Sequence, residues 1–95
     1  MKRELPRNSD GKKMYPVCSW ERNQHKLYNA NDRIRVAIIE AREAGEDTSD
    51  LYESLDRLER AMDAFESHVI EGTVYATWAD RNLIMEFVAA YNARH

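Results

Sequence analysis

The sequence is short of the residues that make a site easy to find. It holds one cysteine, two prolines and three glycines in 95 residues. A single cysteine excludes an internal disulfide framework. Cys18 and His25 lie seven apart, off a common helical face, and His68 and His95 are remote from both. No closely spaced Cys/His pair of the kind that makes a structural zinc site is present. No apolar run reaches the roughly 18–20 residues that cross a bilayer, so no membrane partner is expected. The basic N-terminus lacks the apolar segment of a secretory signal. These absences together lead to the expectation of a cytoplasmic protein.

What is present is charge and helical periodicity. Hydrophobic residues make up 43% and charged residues 33% of the chain, which suits a helix-rich domain better than a disordered one. The net charge of −3 is unevenly spread: residues 1–18 carry +3, 19–45 carry +1, 46–72 carry −7 and 73–95 balance at zero. A basic arm therefore precedes a strongly acidic middle, an asymmetry that speaks to partners rather than to fold.

Residues 1–18 read as an irregular arm, because Pro6, Pro16 and the turn signal "NSDG" break regular structure. Residues 19–95 read as one helical domain. Ser19 is placed to cap a first helix over about residues 19–45, with an inward seam of Trp20, Gln24, Leu27, Asn31, Ile34, Ile38 and Ala41 and a Gly45 terminator. The amides of Gln24 and Asn31 would interrupt that seam, and a buried amide fixes register. His25, Asn29 and Arg33 would form a row near the opposite, outward side.

A second helix, about 49–71, is capped by Ser49 or Asp50 and ended by Gly72. Its stripe of Leu51, Leu55, Leu58, Met62, Phe65 and Val69 alternates spacings of four and three, the heptad signature. The two helices would form an antiparallel hairpin whose facing positions sum to about 94, setting Arg35 across from Glu59 and Tyr28 across from Glu66. "TVY" suggests an extended link, Thr77 and Asp80 another helix start, and "LIMEFVAAY" a third helix over about 77–93, apolar on most sides. The expected class is all-α.

Candidate chemistry is sparse. Glu40 with Glu43, and Asp56, Glu59 and Asp63, are acid ladders of the kind that hold magnesium between helices in some pyrophosphohydrolases. Glu53–Arg57 and Asp56–Arg60, however, have the spacing of a self-paired solvated face. Cys18 sits before a helix start, where a thiol pKa can be lowered, but one feature makes no catalytic set. No catalytic residue, metal ligand or cofactor is assigned, and the chain is read as non-enzymatic.

Lys2, Arg3, Arg7, Lys12 and Lys13, with Tyr15 and Trp20 nearby, could attract phosphates, but a sequence pI near 5.6 argues against direct nucleic-acid binding. The stronger lead is the acidic second helix. Asp50, Glu53, Asp56, Glu59, Asp63 and Glu66, with Trp78 as an anchor and Lys12, Lys13 and Tyr15 as arm contacts, would engage a protein with a basic surface, including one meant for a nucleic-acid backbone. In size, acidity and helicity the chain is similar to phage-encoded inhibitors of host defence, anti-CRISPR proteins among them, which would place it in a host cytoplasm. The other readings are a nucleotide-binding or metal-dependent helical hydrolase with a site between helices of an oligomer, and a structural oligomerisation module. A homodimer through the third helix is expected.

Overall fold

A computed structural model describes residues 5–95. In chain order these form β1 (Tyr15–Ser19), α1 (Trp20–Glu43), α2 (Ser49–Ser67), β2 (Val69–Ile70), β3 (Thr73–Ala76) and α3 (Trp78–Arg94). The strands make an antiparallel sheet in the order β1–β3–β2. The class is α+β, and the all-α expectation is corrected.

Two features of the chain conceal the sheet in the sequence. The heptad stripe placed Val69 inside the second helix, but α2 ends at Ser67 and His68 turns the chain at φ −136. Val69 pairs instead with Val74, and Ile70 with Thr73. Glu71 and Gly72 connect them at φ 50 and φ 80. A two-residue hairpin loop with positive φ at both positions matches the twist of its strands, so Gly72 terminates a hairpin rather than a helix.

The arm is not irregular either. Residues 15–19 pair with β3, placing Tyr15 across from Ala76 and Ser19 across from Thr73. Pro16 hid this strand from the sequence reading. Proline cannot donate to a ladder and is confined to edge strands and bulges; here β1 is an edge, and its register shifts between Pro16 and Cys18. Upstream, the "NSDG" turn folds residues 7–13 back on themselves. Asn8 Oδ1 accepts from the backbone N–H groups of Asp10 (3.0 Å) and Lys12 (2.9 Å), and Arg7 bridges to Lys13. Met14, anchored by its N–H to the Pro6 carbonyl, is 3% exposed and belongs to the core.

The helices follow the sequence more closely. Ser19 caps α1, its hydroxyl accepting from the Arg22 N–H at 3.3 Å. The Trp20 N–H, a second free donor of that first turn, reaches the Gly72 carbonyl at 2.9 Å and ties α1 to the hairpin turn. At the other end Gly45 takes φ 70, with Glu46 donating to the Ala41 carbonyl and Gly45 to that of Arg42, the paired bonds of a Schellman terminator. Thr77 caps α3 through the Asp80 N–H. At α2 the cap differs from expectation. Ser49 is the first helical residue, and Asp47 Oδ1 accepts from both the N–H and the hydroxyl of Ser49. These donors hold the Asp47 carboxyl below its ordinary pKa.

The α1–α2 register is the expected one. Arg35 Nη2 lies 3.6 Å from Glu59 Oε1, and the Tyr28 hydroxyl donates to Glu66 Oε1 at 2.9 Å. With both Arg35 and Glu59 more than half exposed, the ion pair contributes about 0.2–1 kcal/mol and marks register more than it stabilises.

Helix α3 lies in a groove of its own chain. Its Leu83, Ile84 and Val88 join Leu27, Leu58, Ala61, Phe65, Val74 and Ala76 in one core, with Met85 and Phe87 packed against it. Asn23 is buried, and its Nδ2 donates to the Ser19 carbonyl at 2.8 Å. It reinforces the α1 start. Gln24 and Asn31 are only partly buried, and Asn31 Oδ1 accepts from Arg35 Nε at 3.1 Å.

Candidate functional site

Three surfaces bear on function. The first is the acidic face of α2. All six acids of that helix named above are exposed, but they are not equivalent. Glu59 and Glu66 face α1, engaged by Arg35 and Tyr28. The bond to Glu66 pushes the Tyr28 hydroxyl pKa above its ordinary value. On the opposite flank Arg57 pairs with Glu86 of α3 rather than with Glu53 four residues before it. That leaves Asp50, Glu53, Asp56 and Asp63 without an ion pair among the described residues. Asp56 and Asp63 are seven apart and so share one face of the helix. The helix itself is clamped at both edges, so these four charges are displayed on a fixed rod.

The second surface joins residues that sequence reading had distributed between arm and helix. Lys12, Lys13, Tyr15 and Trp78 line one cleft of about 460 Å³ together with Arg7, Gly11, Thr77 and Ala79. The β1–β3 pairing creates it, by setting Tyr15 against Ala76 two residues before Trp78. Tyr15 and Trp78 meet edge to face, 5.5 Å apart at 85°. The Arg81 guanidinium lies 4.7 Å from the Trp78 ring centre. No α2 residue lines this cleft. Lys2 and Arg3, counted among the arm's charges, lie outside the described residues.

The third surface was missed. The row His25, Asn29, Arg33 keeps His25 and Arg33 exposed, as expected, while Asn29 is partly buried, and the row borders the C-terminal half of α3. His25 packs edge to face on Tyr91 at 5.3 Å, Tyr91 stacks on His95 at 4.2 Å, and Lys26 Nζ donates to Asn92 Oδ1 at 2.9 Å. Asn29 and Arg33 line a groove of about 370 Å³ whose walls include Ile34, Leu51, Phe87 and Arg94. Asn29 Oδ1 is buried without a hydrogen-bond partner among the described residues. The signal in the sequence was the breadth of apolar positions on α3, which required α1 to offer a second face.

Among the described residues no group of three or more His, Cys, Asp or Glu side chains is placed to hold a metal ion. Cys18 sits in β1 opposite Val74, half-buried. Burial pushes its thiol pKa up, against a smaller lowering by Lys26, so the helix start does not activate it. At pH 8, alkylation of Cys18 by iodoacetamide should run several-fold slower than that of free cysteine, because the thiolate is the reacting form. A rate equal to that of free cysteine would contradict the burial argument.

The chain matches no protein-family model, and neither a curated protein nor a solved structure is detectably similar to it. Among the described residues no helix is long and apolar enough to cross a membrane.

Proposed function

We propose that this is a non-catalytic interaction protein whose α2 docks on a basic protein surface of the kind that holds a nucleic-acid backbone. The observation carrying this reading is the set of four exposed carboxylates, Asp50, Glu53, Asp56 and Asp63, left without cationic partners among the described residues while both flanks of the same helix are ion-paired. Fixed, unneutralised charge speeds encounter with a complementary surface and selects against acidic ones. A helix held by its neighbours loses little freedom on docking, which favours affinity. An inhibitor of a host defence complex, of the anti-CRISPR type, is the setting that fits the chain's size, acidity and helicity.

The test is affinity capture from the native host by the full chain and by a variant with Asp50, Glu53, Asp56 and Asp63 all changed to lysine. Glu59 and Glu66 stay, since both are already engaged by α1 through Arg35 and Tyr28. The variant should keep its helical circular dichroism and lose the basic partner, with at least a hundredfold weaker binding of the purified pair, about 2.7 kcal/mol. Capture of the same protein by both forms would remove the electrostatic reading.

A further inference from the structure

Trp78 is 57% exposed, more than any other of the large apolar side chains found at the surface among the described residues. Yet it is not loose. Tyr15 meets it at 85° and the Arg81 guanidinium lies 4.7 Å from its ring centre. A rigid indole with most of its surface uncovered is a platform for a flat ligand. Its surroundings give that ligand's charge. Arg7, Lys12 and Lys13 line the cleft beside it. Arg7 spends one donor on the Gly11 carbonyl, at 2.7 Å, which holds the turn that presents both lysines. Residues 5–15 and 77–81 carry four Lys or Arg against two acids, Asp10 and Asp80. This corner is thus locally positive in a chain of net charge −3. The acids that make the chain negative are concentrated in residues 46–72, and salt screens charges beyond about 8–10 Å. A chain-wide pI therefore says little about this cleft.

We propose that the corner binds single-stranded nucleic acid, with Trp78 stacking on a base and Arg7, Lys12, Lys13 and Arg81 holding neighbouring phosphates. Both chemistries are needed to account for the cleft. An acidic peptide would satisfy the cations and leave the indole uncovered. A duplex offers phosphates, but its bases are stacked on one another and present no free face. A single strand supplies phosphates and free base faces in alternation, and stacking on an aromatic is tolerant of sequence. Four cations give modest affinity, with a Kd of about 10–100 µM at low salt, in the range of sequence-independent binding. This site does not rest on the α2 reading. Its residues are separate and its charge is opposite.

The experiment is fluorescence anisotropy of a labelled short oligothymidylate titrated with the full chain. Trp78→Ala should weaken binding at least about tenfold, and Trp78→Phe, which keeps a stacking ring, less than about threefold. Lys12→Glu combined with Lys13→Glu, both at exposed positions, should abolish binding at millimolar protein. The plot of log affinity against log salt should fall with a slope of about −2 to −3, as up to four contacts to a single strand require. If Trp78→Ala loses its helical signal, quenching of Trp78 emission by the oligonucleotide in a Trp20→Phe background replaces it. The proposal is overturned by no binding at millimolar protein, by unchanged affinity in Trp78→Ala, or by polyglutamate competing as well as the oligonucleotide per charge. A duplex of the same length binding equally well overturns the stacking role and with it the proposal.

Discussion

Leu58→Ala should cost about 3–5 kcal/mol and leave the protein at the edge of unfolding. Leu58 has no exposed surface, and it sits in the core with Leu27, Ala61, Phe65 and Ile84. Truncating a buried leucine loses the transfer free energy of its methyl groups and leaves a cavity that neighbours fill only partly, which sets the upper half of the 2–5 kcal/mol range for well-packed sites. Here the neighbours come from three helices and a strand, each fixed by its own backbone hydrogen bonds, so collapse into the space is limited. A domain of this size has about 5–10 kcal/mol to lose. Urea unfolding is the measurement. The midpoint should fall by about half with an unchanged slope, while Ile39→Ala, at a side chain 56% exposed, should move it within about 0.5 kcal/mol. Equal effects at the two positions would mean that the core is not organised around α2 as described.

Removal of residues 1–18 should have the second largest effect, although the sequence marks them as a charged arm. The structure joins them to the domain at three points. Met14 is buried, β1 forms one edge of the sheet, and Tyr15 braces Trp78. Burial of a methionine contributes about 1.5–3 kcal/mol, and each ladder bond of β1 a net of about 0.5–1.5 kcal/mol. Truncation also opens β3, whose Val74 and Ala76 are core residues, to water along one side. A loss of about 3 kcal/mol lowers Tm by about 12–24 °C in a chain this short. Thermal melting of residues 19–95 beside the full chain is the check. Coincident melting curves would show the strand to be dispensable.

The two predictions differ in how legible their basis was. Leu58 stands in a heptad stripe, and periodicity alone assigns it to the core. Met14 stands in a segment without periodicity, between a glycine turn and a proline. A residue of that kind is buried only because something distant covers it, and no local pattern encodes the cover. The hairpin was half legible. "VIEGTVYA" places two β-branched runs around a two-residue turn ending in glycine, a recognisable hairpin signal. The heptad stripe overrides it, because Val69 falls on the stripe by arithmetic. Helical spacing does not distinguish a residue that continues a helix from one that leaves it in phase.

The candidate surfaces divide in the same way. The acidic face of α2 follows from sequence, since spacing on one helix determines which acids share a side. Which of them are neutralised does not follow. Arg57 had an acid four residues before it and took Glu86 of α3 instead. The Trp78 corner was invisible, because Lys13 and Trp78 are 65 residues apart and meet only through the pairing of β1 with β3.

By itself, then, the sequence determined the three helices, the caps of α1 and α3, the α1–α2 register and the placement of negative charge on α2. Each depends on interactions within a few residues or on a repeat carried along one helix. Only the tertiary structure decided the sheet, the burial of Met14, the contact of His25 with α3 and the cleft at Trp78. These depend on contacts between segments far apart in the chain, whose partners are chosen by the shape and chemistry of the whole fold.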